Sequence, residues 1–64
     1  MPGAARTVEL REMVGEVWDV LEERQRRLEA AVEGAEWRLV TAQAVCIRSD
    51  LARLIVLCNQ LGKD

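Results

Sequence analysis

From Leu10 onward the apolar residues return every three or four positions. Leu10, Val14, Val17, Leu21, Leu28, Ala31 and Ala35 fall on one line that only Arg24 interrupts. This alternation follows the 3.6-residue turn of an α-helix and lays a stripe along one side of it. Met13 and Val20 widen the stripe, while Glu12, Glu16, Asp19, Glu22, Glu23, Arg26 and Glu29 fall elsewhere on the circumference, so the element is amphipathic. Thr7 is placed to cap it, because its hydroxyl can accept an orphan amide hydrogen bond, and Glu9 and Glu12 then lie near the positive end of the dipole. The helix is expected to begin at about Val8. A second line, Trp37, Val40, Ala44, Ile47, Leu51, Leu54, Cys58 and Leu61, keeps the same spacing without a break.

The two lines are out of phase, since Ala35 and Trp37 stand two apart and a continuing heptad has no such step. Gly34 is the nearby residue that accepts a left-handed conformation at no Cβ cost, so the pattern predicts a helix cap at Gly34 and a tight turn over 33–36. The expected fold is all-α: an antiparallel two-helix hairpin with helices over about 8–33 and 36–62, each about 39 Å long. Residues 1–7 then form a disordered tail and 63–64 a short C-terminal one. The rival geometry is one helix of nearly 55 residues that tolerates Gly34 at a cost of about 1 kcal/mol. No Ser, Thr, Asp or Asn stands at 33–36 to cap a second helix; the phase break decides for the hairpin.

The second helix has more apolar surface than its neighbour can cover, with Leu39, Val45, Ala52, Ile55, Val56 and Leu57 beside or opposite the main line. Burying one such Leu, Ile or Val is worth about 1.5–3 kcal/mol, against the 5–15 kcal/mol that holds a small domain together. The hairpin is therefore expected to complete a bundle, either as a homo-oligomer or as the small subunit of a hetero-complex. The residues expected to meet that protein partner are Trp18, Val45, Leu51, Leu54, Ile55, Val56 and Cys58. Trp18, off the strict stripe, suits an external contact, and Trp37 suits the core. Arg24 lies in the seam and needs a carboxylate or water. Asp50, about one turn from its level across the hairpin, is expected to serve as its ion-pair partner and register pin. Gly15 would allow another helix to approach closely.

Composition narrows the rest. A chain of 64 residues buries only about 60% of its unfolded surface, which again favours a partner. It is 50% hydrophobic and 31% charged with one proline, which excludes a disordered or collagen-like chain. Nine basic and eleven acidic residues give a net charge of -2 and no global field for nucleic acid or an anionic membrane. The densest charge run, 22–27, compensates itself through Glu22 with Arg26 and Glu23 with Arg27. A nucleic-acid face built on Arg24, Arg26 and Arg27 would have to outweigh these glutamates with no aromatic residue between them.

Histidine, tyrosine and phenylalanine are absent, so neither thiol has an imidazole to activate it, and no enzyme, cofactor or metal site is expected. Cys46 and Cys58, twelve positions apart on one helix and so about 18 Å apart, cannot bridge within it. They are expected as small buried hydrophobes in a reducing compartment. The longest apolar run, 54–58, is far short of a bilayer span, and the first residues have no apolar stretch of a leader; the chain is expected in the cytoplasm.

Two resemblances extend this picture. In length and layout the chain looks like the plasmid copy-number regulator family, whose hairpins dimerise into a four-helix bundle and bind paired RNA loops, which implies a small RNA- or DNA-binding regulator. The turn region from Ala31 to Gly34 and the closing run Leu54, Ile55, Val56, Leu57, Cys58, Asn59, Gln60, Leu61 resemble the small co-chaperones of type III secretion needle subunits. That likeness implies a hairpin that pairs with a tetratricopeptide-like chaperone.

Overall fold

The computed structural model describes residues 2–63, with side chains described from residue 5 onward. Two helices, α1 (Pro2–Glu33) and α2 (Trp37–Lys63), pack against each other as an antiparallel hairpin, a rod of 51 × 15 × 12 Å. Among the described residues there is no strand. Among the described residues no helix is long and apolar enough to cross a membrane.

α1 begins at Pro2 and not at Val8, which corrects the expectation of a disordered tail over 1–7; Met1 lies outside the described residues. Proline is favoured at a first helical position, and beyond Gly3 the strong helix formers Ala4, Ala5 and Arg6 follow. An apolar period marks only the part of a helix that packs, so it says nothing about a start that projects beyond the seam. Thr7 therefore lies inside the helix instead of capping it. At the other end α2 runs on through Lys63, one residue past the expected stop, and Asp64 lies outside the described residues.

The turn falls where the phase break puts it, but its chemistry differs. The Glu36 amide donates to the Ala31 carbonyl at 2.9 Å and the Ala35 amide to the Val32 carbonyl at 3.1 Å, the paired bonds of a Schellman cap. In that motif the left-handed residue is the one after the cap, here Ala35 with φ 54°, while Gly34 has no positive φ. The Gly34 amide continues the helical ladder, donating to the Ala30 carbonyl at 3.0 Å. A left-handed residue other than glycine costs about 1–2 kcal/mol, and the two capping bonds hold this one in place. The Glu36 carbonyl then accepts the first bond of α2, from the Val40 amide at 2.9 Å.

The α1 stripe is buried as expected, with Leu10, Val17, Leu21 and Ala31 almost without exposure. The α2 stripe is not the one the sequence suggests. Trp37 is 63% exposed, Leu51 43%, and Ala44 and Cys58 also face solvent. The side chains turned inward are Val40, Gln43, Ile47, Asp50, Leu54, Leu57 and Leu61, again spaced by threes and fours. The expected line had taken alternate members from this stripe and from its neighbour. At 100° per residue, α2 is turned by about 50° from the orientation that line implies. The physical reason is Arg24: a guanidinium in the seam needs a carboxylate, α2 has one, and this rotation brings Asp50 inside to meet it at 2.8 Å.

Leu10, Val17 and Leu57 form the apolar core, with Val14, Leu54 and Leu61 packed against it. This core occupies the end of the hairpin that holds the termini. Toward the turn the seam passes through the Arg24 and Asp50 pair to Ala31, where the packing is thinner.

Candidate association surface

The seam's polar centre is well defined. Arg24 Nη1 donates to Asp50 Oδ2 at 2.8 Å and to the Cys46 carbonyl at 3.2 Å. The side chain of Asp50 is 7% exposed and that of Arg24 31%, so the carboxylate is committed to the interior while the guanidinium keeps one edge in water. Arg24 and Asp50 thus meet directly. Because the pair fixes which residues are level across the hairpin, Trp18 stands at about the height of Ile55 and Arg48 at about that of Arg26.

On α1 the expected pair of Glu23 with Arg27 forms, but Arg26 turns to Glu23 and not to Glu22. Glu23 takes both Arg26, at 3.0 Å, and Arg27, at 3.3 Å. All three arginines that could form a nucleic-acid face are therefore engaged by carboxylates of the chain itself. The surface pairs are worth little in stability.

Around the seam the hairpin has two flanks. On one, Met13 of α1 lines a shallow groove with Ser49, Ala52, Arg53, Val56 and Leu57 of α2, and Val20 shares another with Glu16, Arg24 and Arg53. Glu16, Arg24 and Arg53 stand among the apolar residues of this flank. The helical rotation puts Trp18 and Val32 on the other flank of α1, and Trp37, Ala44, Leu51, Ile55 and Cys58 on the same flank of α2. All of these are exposed, Trp18 by 50% and Ile55 by 60%. Here α2 carries a complete second heptad stripe, Trp37, Thr41, Ala44, Arg48, Leu51, Ile55 and Cys58, with nothing packed on it.

The residues expected to meet a partner therefore separate. Trp18, Leu51, Ile55 and Cys58 gather on one flank. Val45 sits behind it, lining a shallow depression with Val40, Thr41, Ala44 and Arg48. Val56 belongs to the opposite flank, and Leu54 is half-buried against the core, so neither joins that patch. Trp37, expected in the core, is the residue the sequence reading missed on this surface; its place at the first turn of α2, where the seam is thinnest, is the signal that could have moved it outward. A Cβ at Gly15 would meet nothing within 4 Å, so no close helix approach occurs there within the hairpin.

The cysteines also differ from expectation. Both are free thiols, but Cys46 is only half-buried and Cys58 is exposed, because the rotation of α2 carries position 58 out of the seam. Among the described residues no three His, Cys, Asp or Glu side chains come together so as to hold a metal ion. Compared with known proteins, the chain matches no family model, no curated protein and no solved structure.

Proposed function

We propose that the chain is a non-catalytic helical association module whose binding surface is the flank formed by Trp18, Leu51, Ile55 and Cys58. The observation that supports this reading is how little the hairpin buries. Among the described residues no side chain is fully buried, and five apolar ones, the largest of them leucines, make up the nearly enclosed core. Eleven large hydrophobic residues stay exposed, more than scattered surface residues account for when several of them share one stripe. Covering that stripe with a second helical layer supplies the burial that a two-helix rod lacks. A reducing compartment, the cytoplasm, suits the two unbridged thiols.

The test is Ile55→Asp, which puts a charge in the middle of the exposed stripe without touching the seam. Size-exclusion chromatography with light scattering, on the chain alone and on the complex recovered from its native host, is expected to show assembly for the natural chain and none for the variant, because an unpaired buried carboxylate is too costly to desolvate. A natural chain that is compact and solitary in both settings, with Ile55→Asp indistinguishable from it, would remove the association reading.

A further inference from the structure

The geometry points to a specific occupant for this flank: a second copy of the same chain, related by a two-fold axis parallel to the helices, so that α2 of each copy lies on α1 of the other and the two turns share one end of a four-helix bundle. This rests on the association reading and adds the partner and its orientation. Area and charge carry it.

The chain exposes 5032 Å², whereas a compact monomer of 7.2 kDa is expected to expose about 4,100 Å². The excess, about 900 Å², belongs to the whole rod, with both flanks and the projecting start of α1 included, and is of the order of the roughly 800 Å² that each partner contributes to a standard stable interface. A second rod of the same length covers the flank from end to end, whereas a short peptide would leave much of it wet.

Charge then selects the orientation. α1 carries five arginines against eight carboxylates, and α2 four cations against a single carboxylate, so the helices have formal charges of -3 and +3. The one carboxylate of α2, Asp50, is consumed in the seam, which leaves Arg48 as the charged residue of the exposed stripe. If α2 packed on α2 of the second copy, with turns at opposite ends, the two Arg48 side chains would approach near the axis with no carboxylate on either helix to separate them. α1 would likewise face α1, acid against acid. With the turns together, Arg48 stands level with about Arg26 of the other copy's α1, whose own charge is held by Glu23 at 3.0 Å. Glu22 and Glu29 lie one turn to either side on that helix's exposed flank. Every neighbouring pair of helices in the bundle is then antiparallel, and Trp18 of each copy covers the stripe near Ile55 of the other.

The decisive measurement is the distance between turns. A spin label at Glu33→Cys, in a Cys46→Ser and Cys58→Ser background, reads it by pulsed electron dipolar spectroscopy, with Glu36→Cys as a second site in case the first disturbs the cap. The arrangement with turns together gives one short label-to-label distance of about 20–30 Å, set by helices packed about 10 Å apart plus the label arms. Turns at opposite ends give about 40 Å or more, the length of a helix. The long distance overturns the proposal while leaving self-association in place. A chain that sediments as a monomer at high concentration also overturns it, and in that case Ile55→Asp on the native complex still decides the association reading separately.

Charge reversal gives an independent measurement. Arg48→Glu is expected to raise the dimer dissociation constant about tenfold, and adding Glu22→Arg and Glu29→Arg to restore it. No rescue by the compensating changes overturns the orientation.

Discussion

α2 carries two heptad stripes side by side, and one of them has a partner within the chain. The inner stripe, Val40, Gln43, Ile47, Asp50, Leu54, Leu57 and Leu61, packs on α1; the outer one, Trp37, Thr41, Ala44, Arg48, Leu51, Ile55 and Cys58, lies bare. Their apolar content is similar, and each has two interruptions. They differ in what the interruptions can do. Asp50 finds Arg24 at 2.8 Å, whereas Arg48 has no carboxylate facing it across the seam and Thr41 turns back to its own helix, donating to the Trp37 carbonyl at 3.1 Å. The rotation of a helix about its axis is thus decided by the one polar pair that must be satisfied inside, because a misplaced apolar residue forfeits about 1.5–3 kcal/mol while a buried unpaired charge costs more.

Removing the selector is therefore expected to have the largest effect. Arg24→Ala strands Asp50 inside the seam and is expected to cost about 3–5 kcal/mol, a large share of what holds so small a domain together. Asp50→Ala is expected to cost less, since Arg24 already has one edge in water and can swing out along its aliphatic stem. Urea unfolding followed by far-UV circular dichroism measures both. Equal losses, or a larger one for Asp50→Ala, would mean that the pair does not set the rotation of α2. The joint replacement Arg24→Leu with Asp50→Leu is expected to be neutral or stabilising, as apolar substitutes for buried pairs often are.

A leucine taken from each stripe sharpens the contrast. Leu57→Ala opens a cavity in the core and is expected to lower stability by about 2–5 kcal/mol at every protein concentration. Leu51→Ala removes a side chain that is 43% exposed in the single hairpin. Its expected effect appears through the proposed assembly: the unfolding midpoint of the natural chain is expected to rise with concentration, and in Leu51→Ala that dependence is expected to weaken. Denaturation series at low and high micromolar protein separate the two behaviours. A concentration-independent loss at Leu51 equal to that at Leu57 would place the outer stripe inside the single chain's own core.

The sequence makes the hairpin legible because hydrophobic period and a phase break are local signals, and both survive without knowledge of packing. Arg24 is legible as a seam residue for the same reason, and Asp50 as its partner, because α2 offers no other carboxylate. The rotation of α2 is not, since reading apolar residues alone assigns Asp50 and Gln43 to the surface and so takes half of the inner stripe and half of the outer. On the candidate surface, Trp18 and Ile55 stand out as apolar residues off the main lines. Leu51 and Cys58, also expected to meet a partner, fall on the seam line as well, whereas the apolar period assigns Trp37 to the core alone. The start of α1 is hidden for a different reason: a helix that projects beyond its partner is held by backbone propensity and has no apolar period to announce it.

The smallest effect concerns the turn, where residue identity and conformation disagree. Ala35 adopts φ 54° beside a glycine that does not need its freedom, so Ala35→Gly is expected to stabilise the chain by about 0.5–1 kcal/mol, the relief of left-handed strain less the entropy glycine adds to the unfolded chain. In a chain of this size that corresponds to a rise in Tm of about 2–8 °C. At Gly34 an added Cβ would stand 3.2 Å from Glu36 Oε1 and 3.4 Å from the Ala30 carbonyl oxygen. The first is the free end of a flexible side chain and can move, so Gly34→Ala is expected to change stability by only a few tenths of a kcal/mol in either direction. Thermal unfolding of both single variants and of the exchange Gly34→Ala with Ala35→Gly reads the difference. If Ala35→Gly destabilises the chain and Gly34→Ala does so more strongly, the left-handed position belongs to Gly34, the cap moves back by one residue, and the height at which α2 meets α1 shifts with it.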